Sequence, residues 1–106
     1  MQADAIASLP GQPAPRIAKR AADARLYTID CSPLLKQLEL LTGVVSAESA
    51  GLDVSAARTR QGLRVEMLIA GGSVPTSMPH KDYDVSVVVD TQRGRIAVQF
   101  EVRVYP

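Results

Sequence analysis

A chain of 106 residues suits one domain, and with one Phe, no Trp and an apolar fraction of 46%, its core must be filled by Val, Leu, Ile and Ala. A formal charge of +1 argues against a general electrostatic grip on nucleic acid, which needs clustered Lys and Arg to displace counterions. The single cysteine, Cys31, excludes an internal disulfide, and no stretch approaches the ~18 continuous apolar residues of a membrane-spanning helix.

The chain opens with a segment that reads as an arm, residues 1–25. Met1 to Gly11 has no basic region and no long apolar run, so it does not read as a secretory signal. A cytosolic origin is expected, with the protein kept there or assembled into a particle. Pro10, Gly11, Pro13 and Pro15 follow closely, and each proline fixes its own φ and biases its predecessor away from helix. The many alanines supply little surface to bury, so the arm is expected to stay extended on its own. Ile17 to Arg25 has room for two helical turns, although so short a lone helix is marginal in water. Arg16, Lys19, Arg20 and Arg25 against Asp4 and Asp23 make the arm weakly basic.

From residue 26 to 106 the expectation is an all-β domain. Leu26 to Asp30 is a short strand ended by Ser32-Pro33. Leu34, Leu35, Leu38 and Leu41 have helical spacing, but Pro33 can only open a helix and the stretch is short, so helix and irregular structure both stand. Val44 to Glu48 reads as a strand. In the next, Leu52, Val54 and Ala56 alternate with Asp53, Ser55 and Ala57. Gln61-Gly62 turns the chain, and Leu63, Val65, Met67 and Ile69 form an inward row ended by Gly71-Gly72. After a loop holding Pro75 and Pro79, Tyr83, Val85, Val87 and Val89 face one way, and Asp82, Asp84, Ser86, Val88 and Asp90 the other. Gln92-Arg93-Gly94 turns the chain, with Gly94 suited to a left-handed position. Ile96, Val98, Phe100, Val102 and Val104 then point inward, and a one-residue slip would bury Glu101 and Arg103 instead.

About six or seven short strands, with turns about every 8–12 residues, is the pattern of an antiparallel β-sandwich with Greek-key connections. Tyr83, after a long loop, stands where such folds place a corner tyrosine whose hydroxyl bonds back to upstream backbone.

Catalytic chemistry is scarce. His80, the one histidine, sits in a Pro-flanked loop, and Cys31 and Ser32 lie far from it in sequence. Asp82, Asp84 and Asp90 share one strand face, but they have no ligand loop, and zinc would need more Cys or His. Gly71-Gly72 lacks the residues of a phosphate loop. The reading is a non-enzyme with no metal, no cofactor and no small-molecule substrate.

The run Ala70-Gly71-Gly72, a loop, Asp82 through Thr91, Gly94-Arg95 and the closing strand Phe100 to Val104 resembles a family of small tailed-phage virion proteins, the fibre-tail adaptors. Tyr27 to Leu34 and Leu52 to Ser55 look like that family's opening and middle strands, so the resemblance spans about residues 26–106. The loop between Gly72 and Tyr83 is longer than the family pattern, and the arm has no counterpart in it. The resemblance implies an immunoglobulin-like sandwich and a structural role joining tail tube or nozzle to fibre or spike. It also implies partners among other tail proteins, copies of itself in a ring, and location in the virion, with no direct nucleic acid and no membrane. A head-tail connector or capsid decoration protein, and a small carbohydrate- or host-surface-binding module, are the alternatives. Expected assembly contacts are Pro10, Pro13, Pro15, Arg16, Lys19, Arg20 and Tyr105, with Val88 a weaker candidate. Tyr83, Gly71, Gly72 and Gly94 are read as structural.

Overall fold

A computed structural model describes residues 3–106. Its strands are β1 (Ala5–Ile6), β2 (Arg16–Arg20), β3 (Arg25–Asp30), β4 (Leu41–Glu48), β5 (Leu52–Arg60), β6 (Arg64–Gly71), β7 (Lys81–Thr91) and β8 (Gly94–Tyr105). The one helical element among the described residues is a 3-10 turn, Ser32–Leu34.

The strict alternation of β7 and β8 does what it should. Tyr83, Val85, Val87 and Val89 are buried opposite Val102, Phe100, Val98 and Ile96 on the same face of the hairpin. Gln92 and Arg93 form its loop, closed by the Thr91–Gly94 pair. Gly94 has φ +145°, positive as expected but far beyond the left-handed helical value. In β6, Val65, Met67 and Ile69 are buried, but Leu63 falls in the preceding turn and is exposed.

The strands form two mixed four-stranded sheets, in the orders β1-β3-β6-β5 and β2-β8-β7-β4. Pairing is antiparallel except for β1 with β3 and β2 with β8, so the sheets are mixed and not the purely antiparallel ones expected; both parallel pairs come from the segment read as a free arm. One core cluster takes Tyr27, Ile29, Val65, Met67 and Ile69 from the first sheet and Val85, Val87, Val89, Phe100 and Val102 from the second.

Other expectations change as well. The segment read as a free arm lies along the body and enters both sheets through β1 and β2. Ile17 and Lys19 are buried on the inner face of β2, so the helical alternative for Ile17 to Arg25 is replaced by a strand and a turn. Only one of those two inward residues is apolar, which hides the period of two.

The leucine stripe is not a helix. Leu38 adopts φ +65°, which stops helical propagation, and it is 89% exposed, whereas Leu34 and Leu35 pack on the core and Leu41 is buried.

In β5 the register shifts between Ser55 and Arg58, with Ala56 at φ +53°. The bulge inverts the expected parity. Ala56 is exposed, and Ala57 packs against the core.

Candidate assembly surfaces

The registers sort the loops onto two ends of a body about 47 Å long. The turn between β5 and β6, the turn between β7 and β8, and the 31–40 loop share one end, because Arg60 pairs with Arg64, Thr91 with Gly94, and Asp30 with Arg64. At the other end lie the 72–80 loop, the 49–51 turn, the 21–24 turn and the final residues, set by the pairs Leu52–Gly71, Lys81–Val104 and Arg20–Tyr105.

Tyr83 organises the second end. Its hydroxyl donates to the Ser73 carbonyl and accepts from the Ser73 amide at 3.0 Å, so the ring ties β7 back to backbone ten residues upstream, as expected of a corner tyrosine. Gly51 and Gly72 lie against the ring. Gly71 offers its carbonyl to Lys19.

Lys19 corrects an expectation. It is 4% exposed and not available to a neighbour, because its Nζ donates to the carbonyls of Arg20 and Gly71, each at 2.7 Å. The amine thereby ties β2 in one sheet to the end of β6 in the other. Burial pulls its pKa below the ordinary lysine value, with nearby Asp23 acting in the opposite sense.

The other arm residues serve the chain's own body as well. The Pro15 carbonyl accepts from the Glu101 amide at 2.9 Å, and the Pro13 carbonyl from Ser8 Oγ at 2.6 Å. Arg16 pairs with Glu101 at 3.0 Å and lies 3.9 Å from Asp82, which also holds Arg103 at 2.8 Å. Pro10, Pro13 and Arg20 remain exposed, as does Tyr105, whose ring centroid lies 5.8 Å from that of His80. Val88 is half-buried.

The catalytic candidates are not brought together. Cys31 follows β3 at the first end, while His80 precedes β7 at the second. Cys31 is fully buried, and that burial, with a smaller effect of Asp30, pushes its thiol up to about 12, away from the reactive thiolate. Of the three strand aspartates, Asp82 and Asp90 are taken by Arg103 and Arg95. No group of metal-ligating side chains occurs among the described residues.

The first end carries a surface that sequence reasoning missed. Glu39 is buried there, accepting from the Lys36 amide at 2.8 Å and from the Thr91 hydroxyl. These bonds, the Lys36 amide foremost, hold its carboxyl below the usual glutamate range. The Leu40 carbonyl accepts from Gln92 N at 3.0 Å, and the Gly62 carbonyl from Leu41 N at 2.7 Å, so the three loops are knitted together.

The depressed pKa fixes the sign of a pH effect. Glu39's contribution is present above the unfolded carboxyl value and is lost as pH falls through its lower folded value. Protection of the Lys36 amide, after the intrinsic slowing of exchange by acid is divided out, is therefore expected to fall on acidification in the wild type. In Glu39→Gln it should already be lower at neutral pH and respond far less. Equal acid sensitivity in the two proteins would show that Glu39 is not the anchor.

No family model, no curated protein and no solved structure matches this chain.

Proposed function

We propose that this chain is a non-enzymatic structural protein of a tailed-phage virion, an adaptor that joins the tail tube or nozzle to fibre or spike proteins. In this reading its fold is an immunoglobulin-like sandwich. Three features support that fold: the split of strands into β1-β3-β6-β5 and β2-β8-β7-β4, the parallel placement of β2 on β8, and the corner bond of Tyr83. The motifs from Gly71 to Val104 that resemble the adaptors fall on β6, the 72–80 loop and the β7–β8 hairpin.

The observation that carries the role is the two-ended body. A bridging protein needs a rigid spacer with a different surface at each end. Here the two ends lie along a 47 Å axis, one set with exposed leucines and the other with a groove rimmed by carboxylates.

The test is mass spectrometry of purified particles, with gold labelling of a tagged copy. The expected result is several copies per virion, with label at the tail. Particles that lack the protein, or label confined to the head, would overturn the reading.

A further inference from the structure

Leu38, Leu40 and Leu63 are exposed at the first end, by 89%, 40% and 40% respectively. Their platform is stiff. Leu38 is held in a left-handed conformation that a leucine disfavours. The residues on either side are pinned: Glu39 to Lys36 and Thr91, and Leu40 to Gln92. Gly62 leaves the space that Leu40 covers, since a Cβ there would sit 3.0 Å from Leu40 Cδ2. A loop bonded this tightly around an outward leucine presents an apolar knob to something. Beside it, Lys36 and Arg93 make no ion pair within 4 Å among the described residues, and both lie near enough to act on the buried Glu39 carboxylate.

The opposite end carries an open hollow of opposite charge. An open groove of about 1040 Å³ runs between the end of β4, the start of β5 and the start of β7. Its apolar lining includes Ala47, Ala50 and Val54, its one cation is Lys81, and its carboxylates include Glu48, Asp53 and Asp84. Those three carboxylates also make no ion pair among the described residues.

We propose that the leucine end of one copy docks in the acidic groove of the next. Leu38 enters the groove, and the basic residues around it meet Glu48, Asp53 and Asp84. The occupant of each surface is thus a second copy of this chain, and the charge complementarity of the two ends selects it. The contact is heterologous: each copy uses both ends, so contacts propagate head to tail and close into a ring if the rotation allows. The virion reading already expects copies in a ring; the contact proposed here supplies the two surfaces that join them, so tail and fibre partners would meet the outer faces left around each contact, and self-association of the pure protein tests the contact without those partners.

The experiment is sedimentation velocity across a concentration series at low and high salt. The wild type is expected to gain mass with concentration, and less so at high salt. Leu38→Asn should weaken association by about tenfold or more while keeping the fold, since Asn tolerates the left-handed region. Leu38→Asn disables the knob while keeping its positive charge, and Glu48→Lys with Asp84→Lys disables the groove. Each of these variants alone should be monomeric. Their mixture should give a one-to-one dimer and nothing larger, because one working knob meets one working groove.

Thermal melts of all variants matching the wild type would confirm that folding is intact. A wild type that stays monomeric at all concentrations overturns the proposal. So does a symmetric dimer indifferent to the groove substitutions. Leu38-dependent pelleting with phosphatidylserine vesicles, without self-association, would also overturn it and assign the leucines to a membrane.

Discussion

Gly51→Ala and Gly72→Ala are each expected to cost about 2–5 kcal/mol of folding stability, as the sum of left-handed backbone strain and overpacking. That is a large share of the roughly 5–15 kcal/mol that holds a small domain together. Gly51 has φ +123°, and a Cβ there would lie 2.6 Å from Tyr83 Cε1. Gly72 has φ +93°, and its Cβ would lie 2.8 Å from Leu52 Cδ2 and 3.0 Å from Val104 Cγ2.

The ring cannot step aside. Its hydroxyl is held by both backbone groups of Ser73, and its opposite edge faces Gly72. Gly94→Ala is the control. Gly94 also has a positive φ, but a Cβ there meets nothing within 4 Å, so only the backbone strain of about 1–3 kcal/mol applies.

Urea unfolding of the three variants separates the two effects. If Gly51→Ala unfolds no more easily than Gly94→Ala, the clash with Tyr83 is not real. A double-mutant cycle adds a second check. Combined with Tyr83→Leu, Gly51→Ala should cost clearly less than it does alone, because its obstacle has gone.

The strands that sequence made legible are those whose inward rows are wholly apolar. From Val85 to Val89 and from Val98 to Val104, every inward residue is a hydrocarbon, so the period of two stands out and the hairpin follows from it. β2 fails that test for one reason. Its inward residues are Ile17 and Lys19, and a lysine reads as solvent-facing until backbone carbonyls are found at its amine.

The bulge in β5 was hidden because Ala56 and Ala57 look alike as inward or outward residues, so nothing in their chemistry marks the change of parity. The leucine end was hidden by its own residues. Leu38 stands at helical spacing from Leu34, Leu35 and Leu41, and such a stripe ordinarily belongs to a core. Only its positive φ, which no leucine advertises, turns it outward. The groove was out of reach for another reason: Glu48, Asp53 and Asp84 come together only when β4, β5 and β7 are placed.

Lys19 carries the second large expected effect. Its amine bonds two carbonyls, of which that of Arg20 also accepts from the Asp23 amide at 3.1 Å, and charge-assisted bonds of this kind contribute about 1.5–3 kcal/mol each. Lys19→Met keeps the apolar stem and the packing beside Ile17 but leaves both carbonyls without the amine. Water reaches this rim of the molecule and recovers part of the loss, so the net cost should be about 1–3 kcal/mol.

Lys19→Glu is worse. It brings a buried carboxylate against two carbonyl oxygens with no donor between them, and a cost of about 3–5 kcal/mol follows. β2 pairs only with β8, over five residues, so it should detach first. Cleavage within residues 10–24 by a protease, at a rate several times that of the wild type, would report that local opening before global unfolding.

The pH dependence separates the amine's bonds from its charge. The folded amine has the lower pKa, so just below the ordinary lysine value the unfolded chain binds more protons than the folded one. Stability of the wild type relative to Lys19→Met should therefore rise as pH climbs through that window. A neutral amine still has two N–H groups for the two carbonyls, and it no longer carries a partly desolvated charge. A difference between the two proteins that stays flat, or falls, up to pH 10 would mean that the buried charge is not opposed by its surroundings and that the tie between the sheets is purely ionic.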